Sequence, residues 1–299
     1  MKIGFSLPQH GAQAREGARV AHYATALEQA GADSLWVGER LIAATNPAVG
    51  YAGKPTIPDE FNSVLDPLLL LGIAAAVTER VRLGTNVLIA PLHRPAHLAR
   101  ALTTLDVVSN GRLLPGFGIG WSPEEYEASG VEFSHRGARL DETLDALEAI
   151  WTTDPAGYRG RFVTVPEHRS ELKPVQRPRP PIYLGAFNPA GLARIGRRAD
   201  GWLPVVPVPG PPAWGQRLLG LRELIDQAAV EAGRDPKAID TVVRVNVAAG
   251  TDPALVADTI EAVAADTGFD DFFIDLLYVA DSLDAMLDTS LGLLERLRG

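Results

Sequence analysis

The sequence predicts an α/β fold, a (β/α)8 TIM barrel in which eight parallel strands alternate with helices. Two observations support this prediction. Strand-like and helix-like segments alternate along all 299 residues, and the chain is long enough for about eight of each. The predicted strands are short apolar runs with little polar alternation, as expected where helices cover one face of a parallel sheet and a core fills the other. A doubly wound sheet with the same number of strands is the alternative.

The predicted strands are rich in Val, Ile, Leu and Phe, and they are Lys2–Leu7, Ser34–Val37, Val81–Ile89, Arg112–Phe117, Ile182–Leu184, Gly201–Val205, Thr241–Val247 and Asp271–Leu277. Apolar residues at helical spacing predict helices over Arg139–Trp151, Leu218–Ala232, Pro253–Ala265 and Ser282–Arg298. Helices are also expected to begin where a capping residue precedes a proline, at Asp66, Ser122, Asn188 and Asp252.

Two long stretches interrupt the alternation and are predicted to be insertions. Arg40 to Leu65 follows the second strand, and Thr152 to Pro181 precedes the fifth. Loops of this length usually form lids over a functional site or small insertions. For the second stretch, a surface hairpin followed by an extended proline-rich connector is the alternative. We expect residues 1–299 to form a single barrel domain.

Composition excludes several classes of function. The chain has no cysteine, which excludes disulfides, thiolate metal sites and cysteine nucleophiles and is typical of a reducing compartment. A net charge of -9 without a basic block argues against nucleic acid and anionic membranes as partners. No signal-peptide pattern opens the chain, and its longest apolar run, Pro67 to Val77, is too short to span a bilayer. We therefore expect a cytoplasmic protein.

Three alternating glycines mark the most informative stretch of the chain. Gly116, Gly118 and Gly120 end the fourth predicted strand, and Ser122 then begins a helix. Glycine has no side chain, so a flat ligand can approach the backbone closely at such a strand exit. The spacing is not the dinucleotide-binding fingerprint, because Trp121 stands where the third glycine of that fingerprint would fall. Relief of crowding at a strand end is the alternative.

In a barrel the active face lies at the carboxyl ends of the strands. The residues that the sequence places at this face are His10, Glu39, Arg40, Thr85, Asn86, Gly118, Gly120, Trp121, Gly185, Ala186, Phe187, Asn188, Trp202, Asn246 and Asp275. Glu39 and Arg40 can orient the polar edge of a ring, with a salt bridge at the rim as the alternative. His10 is a candidate acid or base.

Other patterns narrow the chemistry. His93 and His97 are four residues apart, but Arg94 stands where a metalloprotease has glutamate, so surface or packing histidines are predicted rather than a metal site. Neither a Gly-x-Ser-x-Gly elbow nor a phosphate-binding Gly-Lys-Ser/Thr loop is present in the sequence. Gly185 to Pro189 ends the fifth strand and begins a helix, so its free N–H groups suit a phosphate. An ordinary tight turn is the alternative there.

Taken together, several segments resemble the luciferase-like monooxygenase superfamily, in particular its deazaflavin-dependent oxidoreductases. The segments that carry the resemblance are Asp33–Arg40, Arg80–Val87, His93–Pro95, Leu105–Arg112, Pro180–Ala186 and Asp200–Trp202. They look like the second strand of the family, its third strand and helix, the entry to its fourth strand and two later strands. The match runs from Met1 to about Trp202.

The resemblance implies a barrel that binds FMN or the 8-hydroxy-5-deazaflavin coenzyme F420 at the strand ends. Carried over by position, Thr85 and Asn86 would lie beside the ring, where members often have a non-prolyl cis peptide. Gly118, Gly120 and Trp121 would border the ring. The phosphate would be held by Gly185, Ala186 and Asn188. Such a cofactor carries the redox chemistry itself, so the protein needs to position it, exclude water and place the substrate.

The chain departs from the family pattern at two places. Many deazaflavin-dependent members have Asp-His after the second strand, where this chain has Glu39 and Arg40. A proton relay based on a histidine at that position is therefore in doubt. Pro115 replaces the usual apolar residue of the fourth strand and predicts a bulge there.

The sequence therefore predicts an oxidoreductase that uses reduced F420 for hydride transfer to or from a small organic substrate, with Glu39, Arg40 and His10 as catalytic candidates. An FMN-dependent luciferase-like monooxygenase that uses O2 is one alternative, and a non-catalytic flavin-binding barrel is another. The resemblance also implies a homodimer formed by helices around the second and third strands. Pro67 to Val77 is apolar enough for that interface, and equally for plain core.

Overall fold

The computed structural model describes residues 1–211 and 213–299 and confirms an α/β fold built on parallel strands. Strands occur at all eight predicted places, and we number them barrel strands one to eight. In chain order they are Lys2–Ser6, Ser34–Val37, Arg82–Thr85 with Leu88–Ile89, Leu113–Leu114 with Gly116–Gly118, Tyr183–Leu184, Gly201–Trp202 with Val205–Val208, Asp240–Thr241 with Val243–Val247, and Asp271–Asp275. Four of the eight strands thus consist of two segments.

Each barrel strand pairs in parallel with the next one along the chain, and strand eight pairs with strand one. Phe5 of strand one, for example, lies beside Leu35 of strand two and beside Ile274 of strand eight. These pairings form a complete ring, so the barrel prediction holds and the doubly wound sheet is excluded. Because all strands run in the same direction, their carboxyl ends meet at one rim.

Prolines and one cis peptide bond divide three of the two-part strands. Strand three is interrupted at the cis bond between Asn86 and Val87, strand four at Pro115, and strand six before Val205 at Pro204. Proline has no N–H group to donate to a ladder, which accounts for the last two interruptions. The ring stays continuous because the two segments of strand three pair with the two segments of strand four. The break at Pro115 lies where the sequence predicts a bulge, whereas the breaks in strands three and six are not anticipated by the sequence.

Ten α-helices flank the strands over the described residues, and they are Gly11–Ala14, Val20–Ala30, Pro67–Val77, Pro95–Val108, Pro123–Ala128, Arg136–Thr152, Pro189–Arg198, Trp214–Glu231, Pro253–Thr267 and Leu283–Arg298. The four helices predicted from periodicity are confirmed, with shifted ends. Asp66, Asn188 and Asp252 accept a backbone N–H as helix caps, as predicted. Ser122 occupies a cap position, but its hydroxyl donates to Glu124 instead. None of the described helices is both long and apolar enough to cross a bilayer.

The two insertions differ in structure. Arg40 to Leu65 contains two short 3-10 turns, Tyr51–Gly53 and Asp59–Asn62. The second insertion begins with an antiparallel hairpin of Ala156–Arg159 and Thr164–His168, and an extended proline-rich segment follows it. This arrangement confirms the hairpin alternative for the second insertion. The first insertion lies over the rim of the barrel, where Val64 bridges to His10 beyond the end of strand one.

An apolar core fills the inside of the ring, separate from the larger core between strands and helices. Trp36 stacks on Phe273 there, with ring centroids 4.6 Å apart and an interplanar angle of 13°. Glycines on neighbouring strands make room for the largest rings. A Cβ at Gly84 would lie 2.2 Å from Trp36, and a Cβ at Gly201 would lie 2.1 Å from Tyr183. The filled centre of the ring becomes the floor of the space at its rim.

Replacing Gly84 by alanine should lower the free energy of unfolding by about 1–3 kcal/mol, because the added methyl overpacks the filled lumen against Trp36. Urea denaturation measures this change. Gly220→Ala is the matched control, since Gly220 lies in helix Trp214–Glu231 and its Cβ would meet no heavy atom of the described residues within 4 Å. The control should be at least as stable as the natural protein. A Gly84→Ala variant of natural stability would contradict the lumen packing.

Candidate active site

A cavity of about 200 Å³ opens at the carboxyl rim, and we call it the rim cavity. Trp36 and Phe273, from the apolar core inside the ring, form its floor. Tyr51 and Phe61 of the first insertion line one side of it, and their rings pack edge to face with centroids 5.0 Å apart. The ring centroid of Tyr51 also lies 5.6 Å from that of Trp121, which follows strand four. The first insertion therefore shapes the pocket, as a lid-like loop was expected to do.

The structure gathers most of the predicted site residues into two neighbouring cavities. Those that line the rim cavity are His10, Glu39, Arg40, Asn86, Gly120 and Trp121. A second cavity of about 290 Å³, the helix cavity, lies at the start of helix Pro189–Arg198. The predicted residues that line it are Gly118, Gly185, Ala186 and Asn188. The two cavities are neighbours because Gly118 and Gly120 belong to the same strand exit.

Thr85 has a different place from the one that the resemblance implies. Its side chain is fully buried, and its hydroxyl donates to Gly116 O and accepts from Gly116 N, both at 2.8 Å. It therefore ties strand three to strand four and lines neither cavity in the described structure. Asn86, in contrast, lines the rim cavity, and its bond to Val87 is cis.

The alternating glycines are required by close packing against the exit of strand three. A Cβ at Gly118 would lie 2.6 Å from Val87 Cγ2, and one at Gly185 would lie 3.1 Å from Val87 Cγ1. At Gly120 the φ angle is +62° and a Cβ would lie 2.8 Å from Ile89. Relief of crowding, the alternative to ligand approach, therefore explains why these positions are glycine. The same residues still border the two cavities.

Glu39 is held by two partners at the wall of the rim cavity. Its Oε2 accepts a hydrogen bond from Ile89 N at 2.5 Å, and its Oε1 lies 2.8 Å from His93 Nε2. Burial of the imidazole favours its neutral form, but the hydrogen bond and the negative charge of Glu39 raise the pKa of His93 above its usual value. The sequence predicts a surface or packing role for His93, and the structure corrects this with the contact to Glu39. The available signal was the presence of both residues in the segments that resemble the family.

Arg40 lies inside the protein between aromatic rings. Its side chain is 7% exposed, and its guanidinium carbon lies 4.3 Å from the ring centroid of Trp121 and 5.4 Å from that of Phe61. Its Nη2 forms an ion pair with Glu125 Oε1 at 3.0 Å, and that oxygen also accepts from Leu41 N. Loss of water lowers the pKa of Arg40 and raises the pKa of Glu125, and each charge opposes the shift of the other. Arg40 thus pairs with Glu125, and the alternative of a rim salt bridge between Glu39 and Arg40 is not found among the described residues.

His10 faces a buried ion pair on the other side of the rim cavity. Arg244 of strand seven donates to Asp275 of strand eight, and both residues line the cavity beside His10. Burial lowers the pKa of His10 to about 4; Asp275 opposes this shift, and the positive charges of Arg244 and Arg40 add to it. The ring of His10 is therefore neutral at pH 7. Arg244 is not among the residues predicted from the sequence, although the Val-Arg-Val-Asn-Val alternation of strand seven places its polar residues on the inner face.

The helix cavity has the features of an anion site. Asn188 Oδ1 accepts a hydrogen bond from Gly191 N at 2.8 Å and so caps the helix. Arg136 lines the same cavity, and its buried Nε has no hydrogen-bond partner within residues 1–211 and 213–299. Arg194 also lines it but is bound to Asp141 through two hydrogen bonds of 2.6 and 2.9 Å. A helix N-terminus together with an arginine that has a free donor suits a phosphate group.

Three residues of the rim cavity carry unused donors. Arg40 Nε, Asn86 Nδ2 and Arg244 Nε are buried without a hydrogen-bond partner in the part of the chain that the structure describes. Buried donors are normally paired, so a planar ligand with acceptor atoms along its edge fits this wall. FMN and F420 each have such a ring edge and one phosphate. The ring edge fits the rim cavity, and the phosphate fits the helix cavity. Among the described residues, no cluster of three or more His, Asp or Glu could hold a metal ion.

Comparison with known proteins agrees with this fold. A family model described as luciferase-like monooxygenase matches residues 1–288. The chain therefore belongs to this family, as the resemblance of its strand segments indicated. The relatives and structures of known activity described below are oxidoreductases, monooxygenases among them.

Two mycobacterial proteins are among its relatives. An uncharacterized protein of Mycobacterium tuberculosis is 40% identical over 164 residues, which cover 54% of this chain and 56% of that protein. A phthiodiolone/phenolphthiodiolone dimycocerosates ketoreductase of Mycobacterium tuberculosis is 33% identical over 242 residues, covering 78% of this chain and 61% of that protein. The chain thus spans about half to three fifths of the length of these relatives.

Solved structures share the fold over nearly the whole chain. A monooxygenase from Streptomyces bottropensis has a TM-score of 0.77 at 22% identity, covering 99% of this chain and 97% of that one. An F420-dependent secondary alcohol dehydrogenase, bound to an F420-acetone adduct, has a TM-score of 0.75 at 16% identity, covering 100% and 99%. The oxygenating constituent of 3,6-diketocamphane monooxygenase from Pseudomonas putida, bound to FMN, has a TM-score of 0.71 at 17% identity, covering 97% and 96%. At these identities the likeness shows the fold alone.

A double-mutant cycle should detect coupling between Arg40 and Glu125 of roughly 1–3 kcal/mol. Glu125→Gln leaves the buried guanidinium without its counter-charge, and Arg40→Met leaves the carboxylate alone, so each single change destabilises the protein. The double variant should lose less free energy of unfolding than the sum of the losses in the two single variants. Urea denaturation of the four proteins gives the coupling energy, and strictly additive losses would show that the ion pair does not contribute.

Proposed function

We propose that this protein is an oxidoreductase that uses reduced F420 to transfer a hydride to or from a small organic substrate in the rim cavity. The observation that supports the proposal most is the pairing of two neighbouring cavities. One has a wall of unused donors beside Trp121, and the other has a capped helix start beside Arg136. Membership of the luciferase-like family and the motif resemblance to its deazaflavin-dependent branch support the same function.

In this proposal the residues of the chain bind and shield a cofactor that supplies the hydride chemistry when bound. Arg40 and Asn86 donate hydrogen bonds to the polar edge of the ring. Arg136 and the start of helix Pro189–Arg198 hold the phosphate. Tyr51, on the first insertion, excludes water from one side of the rim cavity.

The catalytic candidates Glu39, Arg40 and His10 have separate tasks in this proposal. Arg40 orients the ring from its position over Trp121. Glu39 exchanges a proton with the substrate. His10, neutral at pH 7, can accept the proton of a substrate hydroxyl group. An uncharged organic substrate suits the cavity, because the charges of Arg40, Glu39 and Arg244 each face an opposite or hydrogen-bonding partner.

An FMN-dependent monooxygenase that uses O2 is the second candidate function. The helix cavity suits the phosphate of FMN as well as that of F420, and one structural neighbour holds FMN. A non-catalytic flavin-binding barrel is the third. A carboxylate in contact with an imidazole at the cavity wall favours an enzyme over simple storage. Turnover of each reduced cofactor with a panel of carbonyl and enone acceptors separates these three functions.

We also propose that the protein forms a cytoplasmic homodimer through helix Pro67–Val77. Leu69, Ile73 and Val77 recur every four residues on this helix and are 72%, 40% and 38% exposed. Val108, at the end of helix Pro95–Val108, is 53% exposed. A stripe of this kind favours contact with another apolar surface. Its position beside strands two and three agrees with the interface that the resemblance implies.

Arg136→Gln should weaken cofactor binding roughly tenfold, because the cavity loses a charged donor to the phosphate. Spectral titration with F420 and with FMN measures the dissociation constant, which should be micromolar or lower for one of the two. Riboflavin, and the deazaflavin core without its phosphate, are the matched probes and should bind both proteins equally. If the natural protein bound neither cofactor, the proposed function would be wrong.

Leu69→Asp combined with Ile73→Asp should convert the dimer into a monomer, since a charged stripe cannot be buried between two copies. Sedimentation velocity measures the change in mass. Val230→Asp, on helix Trp214–Glu231, changes a similarly exposed apolar residue and should leave the dimer intact. A natural protein that sediments as a monomer would refute the interface.

A further inference from the structure

The contact between Glu39 and His93 joins two separate cavities. Glu39 lines the rim cavity, whereas His93 lines a third cavity of about 230 Å³, which we call the hairpin cavity. The hairpin cavity lies between the start of helix Pro95–Val108, helix Arg136–Thr152 and the hairpin strand Thr164–His168. The side chain of His93 is 26% exposed and that of Glu39 is 12% exposed, so solvent reaches the imidazole more readily than the carboxylate.

The geometry of the pair suits proton transfer between the imidazole and the carboxylate. Ile89 N fixes Oε2 of Glu39 at 2.5 Å, and Oε1 faces His93 Nε2 at 2.8 Å. The Nδ1 atom of His93 makes no hydrogen bond to the described residues, so it is free to exchange protons with solvent. Nε2 of His93 therefore exchanges protons with Glu39, while Nδ1 exchanges protons with solvent.

We propose that Glu39 and His93 form a path that carries protons from solvent at the hairpin cavity to the substrate in the rim cavity. His93 acts through Glu39 and is a positioning residue, while Glu39 is the group that meets the substrate. This inference rests on the proposed function, because it takes the hydride acceptor to be a substrate in the rim cavity.

The proton balance of one turnover is complete. A substrate that accepts a hydride gains two electrons and one hydrogen nucleus. It needs one further proton to become the neutral reduced product. The Nε2–H bond of the His93 imidazolium breaks and an O–H bond forms on Glu39. That O–H bond then breaks as the proton binds the reduced substrate. Uptake of one proton from solvent by the neutral ring then restores the imidazolium.

The charges around the pair favour its protonated state. Burial by itself lowers the pKa of His93. The negative charges of Glu39, which follows strand two, and of Asp66, which caps helix Pro67–Val77, outweigh this effect and hold the pKa of His93 above its usual value. Arg94 and Arg139 line the same cavity as His93. Arg40 and Glu125 lie near the carboxylate, and their opposite charges form a pair. The proton-dependent step should therefore be constant at low pH and slow as pH rises through the raised pKa of His93.

His93→Gln tests the path, because glutamine can still donate to Glu39 but cannot titrate. With whichever reduced cofactor turns over, the single-turnover rate should fall by roughly 10- to 100-fold and lose the decline at high pH. His97→Gln is the matched control. His97 is exposed on helix Pro95–Val108, which begins two residues after His93, so this variant should keep the natural rate and pH profile. A His93→Gln variant with the natural rate and pH profile would overturn the proposal.

Chemical rescue separates proton transfer from simple orientation of Glu39. His93→Gly opens space toward the hairpin cavity, and added imidazole should restore the rate. With a series of substituted imidazoles of equal size, the rescued rate should change with the pKa of the added base. Rescue that is independent of that pKa would show that His93 only orients Glu39, and would overturn the path.

A measurement without cofactor keeps this inference distinct from the proposed function. The ring nitrogens of His93 are followed by NMR against pH in the natural protein and in Glu39→Gln. The natural protein should titrate above the usual histidine value of about 6.5, and the variant should titrate lower. Equal midpoints would overturn the path even if the cofactor binds. Failure of both cofactors to bind, with the expected midpoints, would instead refute the proposed function.

Discussion

The stack of Trp36 on Phe273 inside the ring is the contact on which the candidate site depends. These rings fill the lumen, and Gly84 allows the strand beside Trp36 to approach it closely. Because the centre is filled with apolar side chains, the space that remains at the carboxyl rim has a flat, rigid floor. Glu39 lies three residues beyond Trp36 on the same chain segment, so one strand supplies both the floor of the cavity and its first polar wall.

Charged groups around this floor lie in pairs that join distant parts of the chain. Arg40 meets Glu125, and Arg244 meets Asp275. Removing two charges from water costs free energy that their attraction does not always repay, so buried pairs of this kind are weak devices for stability. Their concentration around one cavity is better explained by function, because they fix the positions and the protonation states of groups that a ligand meets.

Membership of the family shows the fold, and the choice of cofactor depends on a small number of contacts at the candidate site. F420 and FMN share a planar ring system and a phosphate, so a rim cavity beside a capped helix start accommodates the common part of both. In the proposed function, the guanidinium of Arg40 over Trp121 and the carboxylate of Glu39 paired with His93 decide how the ring is held and where protons enter. Contacts of this kind are where members of one fold differ in chemistry.

The sequence by itself determined the alternation of strands and helices, most of the helix starts, and many of the residues at the carboxyl rim. These features are local, since hydrophobic periodicity, proline and capping residues act within a few positions. Tertiary structure alone decided which side chains meet there. Glu39 finds His93, which is 54 residues away in sequence, and not its neighbour Arg40. The hydroxyl of Thr85 donates to Gly116 on the neighbouring strand, and the side chain does not line the cavity. Such choices depend on the register of the closed ring and on how the first insertion folds over it, and neither is encoded in the spacing of residues along one strand.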